Sequence, residues 1–228
     1  MSTFKPQLGV LPAAQQKLWP QLRTVPRHFV LYGGTALALR LGHRQSLDFD
    51  FFSAASFQPE QLHRHLSFAA ASEVIRKYEN TVSLRTEKPF EVHLSFFGGL
   101  TFGQVEPPQM CVDNGVYVAS LKDLFATKLN TVYQRAEAKD YLDVDALINS
   151  GCPLATGLGC AQAIYRNAFN PMLPLKALTY FEDGDLASLP AEVQLRLRQA
   201  VEAVDQIPTV RLDSEHISVP ESLTSEGL

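Results

Sequence analysis

Two acidic residues one position apart carry the first chemical signal. In Leu47-Asp48-Phe49-Asp50-Phe51-Phe52, apolar and acidic side chains alternate until Phe52. Successive side chains of a strand point to opposite faces, so Asp48 and Asp50 share one face while Leu47, Phe49 and Phe51 line the other. Two adjacent carboxylates repel unless a cation or partner compensates them. Mg²⁺, or Mn²⁺ in its place, does so through carboxylate oxygens and keeps positions open for water and substrate phosphates. A solvated edge strand is the competing reading. The apolar flank weighs against it, because it anchors the strand and holds its acidic face outward.

The elements that must position this pair precede it. Residues 28–32 (HFVLY) form an apolar run stopped by Gly33-Gly34, which reads as a buried strand. Residues 35–41 (TALALRL) are strong helix formers closed by Gly42. A diglycine between strand and helix lets backbone approach a ligand, and the helix start offers free N–H groups to a phosphate. Alone, such a turn more often reads as a tight connection. Ser46 either accepts a phosphoryl group or caps the turn, the turn role being favoured. His43-Arg44 either touch nucleotide or serve the loop.

Further along, residues 13–22 suggest a helix disturbed by Pro20, with Trp19 in the core, and residues 59–71 a second helix. His63 and His65 sit two apart on that helix and make a poor metal pair. Residues 73–78 and 81–85 suggest a hairpin across Glu79-Asn80, and residues 90–97 a third strand placing Glu91, His93 and Ser95 on one face. Tyr117-Val118 is a short strand, and Ser120 caps a helix over 121–133. Helical patterns dominate to residue 205, with stops at Gly151-Cys152-Pro153, Pro171 and Gly184. The expected fold is therefore α+β: a mixed sheet with flanking helices over 1–118, a helical domain over 119–207, and an extended polar tail over 208–228.

The stretch GGTALALRLGHRQSLDFDFF, from Gly33 to Phe52, resembles the GG(S/T)…DxD motif of nucleotidyltransferases of the DNA polymerase β superfamily. More narrowly, it is similar to the AbiEii/AbiGii toxin family. A second block resembles that family's helical DL…K…R…KDxxD stretch: Leu121-Lys122-Asp123-Leu124, then Lys128, Arg135, Lys139-Asp140 and Asp143. The resemblance spans roughly residues 28–150. It implies an NTP over the Gly33-Gly34 turn, with Asp48 and Asp50 holding Mg²⁺ and Thr35 donating to a phosphate. Lys128 would be the triphosphate cation, Arg135 or Lys139 a further phosphate or nucleic-acid contact, and Asp140 or Asp143 would orient a lysine or arginine. The bland alternative is an amphipathic helix pair in which Lys139 and Asp143 pair at the surface. One departure stands out. Where the superfamily carries a third carboxylate on a neighbouring strand, this sequence offers His93 or Ser95. Glu91 reaches that place only from two residues, about 6.6 Å, further along, and His93 could act as a base instead.

Composition sets the outer limits. The chain of 228 residues is 46% hydrophobic, enough to bury a core, and its formal charge of −4 creates no global attraction for nucleic acid. Three cysteines, Cys111, Cys152 and Cys160, include no CxxC pair and suit a reducing cytoplasm. Neither a secretory segment nor an apolar run of membrane-spanning length is read in it, so membrane partners are not expected. The resemblance implies a toxin that modifies RNA such as tRNA, or a protein, beside an antitoxin partner. The alternatives are an antibiotic-type nucleotidyltransferase acting on a small molecule and a degenerate module that binds nucleotide without turnover.

Overall fold

A computed structural model of the chain describes residues 2–86 and 91–220. Phe90, expected to open a strand, and residues 221–228 of the expected tail lie outside the described residues. In chain order the elements are β1 (Thr3–Phe4), α1 (Ala13–Leu18), β2 (Val30–Tyr32), α2 (Gly33–Leu41), β3 (Asp48–Phe52), α3 (Pro59–His65), β4 (Glu73–Tyr78), β5 (Thr81–Arg85) and β6 (His93–Phe97). They continue with β7 (Gln109–Cys111), β8 (Tyr117–Val118), α4 (Leu121–Thr131), α5 (Ala138–Asn149), α6 (Leu154–Tyr165), α7 (Met172–Ala177) and α8 (Ala191–Glu202).

The described strands form one mixed sheet in the order β1-β7-β8-β2-β3-β6-β5-β4. The alternating segment sits near its middle: β3 runs antiparallel to β2 and parallel to β6. Phe49, Phe51, Leu94 and Phe96 fill the buried face completely, and the rings of Phe51 and Phe96 stack at 5.0 Å. Each such side chain contributes about 1.5–3 kcal/mol by burial. A one-residue slip of β3 would drive its carboxylates into this core, so the register is strongly fixed.

The expected hairpin forms as β4 and β5, with Asn80 at φ 54° in the turn. Three expectations shift. The helix over 13–22 stops at Leu18 and tightens into a 3₁₀ turn through Thr24, with Pro20 near its start and Trp19 buried in the core. The helix over 59–71 ends at His65, followed by a short 3₁₀ turn over Ser67–Ala69. Leu47, expected beside Phe49 and Phe51, is 67% exposed because β3 begins only at Asp48.

Helix α2 returns across the sheet from β2 and packs on α4 and α5, while α4 packs on α6. Ser120 caps α4 by accepting from the Asp123 N–H at 3.0 Å. Asp123 in turn accepts from the N–H groups of Val105 and Glu106 at 3.0 and 3.2 Å, so one helix start also pins the preceding loop. Residues 208–220 contain no helix or strand; Ser214 bridges to Gln104, and Ile217 is buried.

Candidate active site

The turn from β2 into α2 brings backbone against carboxylate. Tyr32 and Asp50 are register partners, so the chain leaves β2 directly beside Asp50. Gly33 then adopts φ +73°, and a Cβ there would fall 2.6 Å from Asp50 Oδ2. Only glycine satisfies both the left-handed backbone and this approach. At Gly34 a Cβ would meet Arg44 Nη2 at 2.6 Å and Ser46 Oγ at 2.9 Å, which places both side chains against the turn. The Thr35 hydroxyl, expected at a phosphate, instead donates to the Asp48 carbonyl at 2.5 Å and is fully buried. It ties α2 to the start of β3 because its side chain points inward from the first helical turn.

Asp48 is exposed and Asp50 partly buried on the same face. Burial, and then the Asp48 charge, push the Asp50 carboxyl up to about 6, while Lys128, Arg135 and Lys139 pull against that rise. Lys128, Arg135 and Lys139 of the second sequence block therefore act on Asp50. This environment favours a cation at Asp48 and Asp50, and two hard carboxylate oxygens suit Mg²⁺. Among the described residues no group of three or more His, Cys, Asp or Glu gathers for a metal.

Behind the pair lies a buried ionic cluster built by α5, which projects Asp140 and Asp143 three residues apart onto one face. Both are fully buried. Asp143 accepts from His43 Nε2, Arg44 Nε and Arg44 Nη2, each at 2.7 Å, and from Lys128 Nζ at 2.6 Å. Asp140 accepts from Lys128 Nζ at 2.7 Å and Arg135 Nε at 2.8 Å. Burial alone would raise the Asp143 carboxyl, but hydrogen bonds from His43 and Arg44 and the Lys128 charge hold it well below the carboxylate range. Asp140 is lowered in the same way, with Lys128 and Arg135 outweighing burial. Arg44, Lys128 and Arg135 against two carboxylates leave one net positive charge, without counting His43.

Several site expectations change in detail. Lys128 is nearly buried, its side chain 7% exposed between two carboxylates, so its charge acts on Asp50 as a fixed field. Lys139 does not pair with Asp143 at the surface; it is half-exposed and bonds Glu137 at 2.7 Å, because Asp143 is already enclosed. Arg135 is 46% exposed even while bonding Asp140. Asp140 and Asp143 both orient basic side chains, and His43-Arg44 serve Asp143. The His-Arg pair had a signal in the sequence, two basic residues just before the acid pair, but no local pattern links them to a helix about 100 positions away.

The register also settles what faces the acid pair. His93 stands opposite Asp48 and Ser95 opposite Asp50, and Ser95 Oγ lies 3.1 Å from Ser83 Oγ. Glu91 precedes β6, with Oε1 3.5 Å from His93 Nε2 and 3.7 Å from Arg85 Nη1. No third carboxylate occupies the register positions beside Asp48 and Asp50 on β6.

Comparisons with known proteins identify the fold and the family. The chain is 30% identical over 159 residues to an uncharacterised protein of Aquifex aeolicus, covering 68% of this chain and 75% of that protein. MenT4, a nucleotidyltransferase toxin from Mycobacterium tuberculosis, shares the fold with a TM-score of 0.56 at 15% identity, over 85% of this chain and 87% of its own. A presumed nucleotidyltransferase from H. pylori matches with a TM-score of 0.52 at 16% identity, over 84% and 92%. No described helix is long and apolar enough to cross a membrane. The family model described as nucleotidyl transferase AbiEii toxin, type IV toxin–antitoxin system, matches residues 22–211, and the chain belongs to that nucleotidyltransferase toxin family.

Proposed function

We propose that the chain transfers a nucleoside monophosphate from an NTP to an acceptor hydroxyl, releasing pyrophosphate, as the toxin of a toxin–antitoxin pair acting in the cytoplasm. The observation that carries this reading is the close approach of the Asp50 carboxylate to the Gly33 turn, which leaves no room for a Cβ there, with Asp48 on the same strand face. Asp48 and Asp50 would hold Mg²⁺, or Mn²⁺. When bound, the ion neutralises charge on the phosphates and orients them.

Phosphoryl chemistry of this kind needs positioning and charge neutralisation more than covalent help from the protein. In this division of labour, residues 1–118 supply the phosphate cradle and acid pair and residues 119–207 supply the cations. Free N–H groups at the start of α2 and the Gly33-Gly34 turn receive the triphosphate, and Ser46 lies against that turn. Lys128, fixed by Asp140 and Asp143, stabilises the charge that develops on the phosphates, with Arg135 and Lys139 further out. His93, half-exposed opposite Asp48, takes the acceptor proton, and Glu91 orients its ring. The acceptor is an RNA, tRNA being the family-like choice, or a protein.

With an α-³²P-labelled NTP and candidate acceptors, Asp48→Ala and Asp50→Ala are each expected to lower labelling about 100-fold or more. Labelling that persists in both variants defeats the proposal. A second reading, a module that binds nucleotide without turnover, draws on the missing third acid. Calorimetry showing NTP binding without pyrophosphate release over long incubation would favour it.

A further inference from the structure

Beyond Arg135 the surface opens into a cavity of about 390 Å³ between the α4–α5 connection and α7. Its walls include Tyr133, Arg135, Tyr141, Lys176, Tyr180 and Asp183. The volume falls in the range of small-ligand sites. Aromatic surface and charge lie together here. Tyr141 is buried, and its hydroxyl donates to the Ala177 carbonyl at 3.3 Å, which holds that wall in place. Tyr180 is 48% exposed at the mouth beside Leu173, 44% exposed, an apolar rim with no covering partner among the described residues. Lys176 and Arg135 supply cations, and Asp183 an acceptor for an exocyclic amine.

Rings for stacking, cations for phosphate and one acidic acceptor match a nucleotide with its base unstacked. The triphosphate has its own cradle at Gly33-Gly34, whereas Arg135 links the two places: it lines the cavity, and its charge reaches Asp50. We propose that this cavity seats the terminal nucleotide of a single-stranded RNA acceptor, leading its end toward the acid pair past Arg135. This deepens the transferase reading and rests on it. A free NTP presents the same chemistry, so the test has an arm for each source.

The full-length chain is titrated by fluorescence anisotropy against a 5′-fluorescein single-stranded RNA of about 10 nucleotides. Tyr180→Ala is expected to weaken binding about tenfold through lost stacking. Lys176→Glu is expected to weaken it and to flatten the dependence of affinity on salt by about one phosphate contact, with Lys176→Arg restoring both. Calorimetry with ATP and Mg²⁺ is expected to show the same nucleotide affinity in all of them. Equal RNA affinity in Tyr180→Ala and Lys176→Glu, absence of RNA binding by the unaltered chain at low salt, or a parallel loss of ATP affinity each overturns the assignment. RNA binding that responds to the variants while no monophosphate is ever transferred sinks the transferase reading and leaves the pocket standing.

Discussion

Asp50→Asn is expected to make the protein more stable and inactive. The wild-type carboxyl rises from 3.8 to about 6, through burial first and the Asp48 charge second. A carboxyl whose folded value is raised binds more protons folded than unfolded between those limits. Stability is therefore fully present below 3.8 and is lost as pH climbs through about 6. At about 1.4 kcal/mol per pH unit, the rise corresponds to a penalty of up to about 3 kcal/mol at neutral pH. An amide of the same shape carries no charge and escapes it. Urea unfolding in EDTA at pH 4, 5, 6, 7 and 8 should show the two proteins close together in acid and diverging by up to about 3 kcal/mol above pH 6, a melting difference of roughly 6–12 °C for a chain of this size. Asp123, also raised to about 6, contributes equally to both proteins and cancels in the difference. Added Mg²⁺ should then stabilise the wild type and leave Asp50→Asn unmoved, because a ligand stabilises only the state that binds it. A gap between the two proteins that does not change with pH would show that Asp50 lacks the strained electrostatic environment argued above.

Asp143→Ala leaves Arg44 without its buried partner and Lys128 with Asp140 alone, and is expected to cost about 3–5 kcal/mol by urea unfolding. Asp143 is held below its ordinary 3.8, so the stability it contributes is present above that value and is lost as pH falls beneath it. Gly33→Ala combines a φ of +73° with a Cβ 2.6 Å from Asp50 Oδ2 and is expected to cost at least about 1–2 kcal/mol and to abolish labelling. Gly9→Ala, where a Cβ meets nothing within 4 Å, serves as the control.

The parts of the site that sequence reading could reach are those set by short-range periodicity. Alternation around Asp48 and Asp50 places both on one face, and the glycine pair marks the strand-to-helix turn, since each depends on neighbours within a few residues. The hairpin at Asn80 was legible for the same reason. What escaped depends on contacts between distant segments. Nothing near Thr35 reveals that its hydroxyl meets the Asp48 carbonyl, because that bond exists only once α2 packs behind β3. The enclosure of Lys128 likewise follows from α5 placing Asp140 and Asp143 on one face and from Arg44 reaching 99 positions along the chain. Strands β1 and β7 are too short, two and three residues, to show a period of their own.

The three partner side chains of Asp143 come from the loop after α2 and from α4, while the carboxylate itself arrives with α5. During synthesis at roughly 5–20 residues per second, the acid pair leaves the ribosome several seconds ahead of the helix that locks its cations. A nascent or truncated chain ending before α5 thus has its acidic strand but no anchored counter-charge.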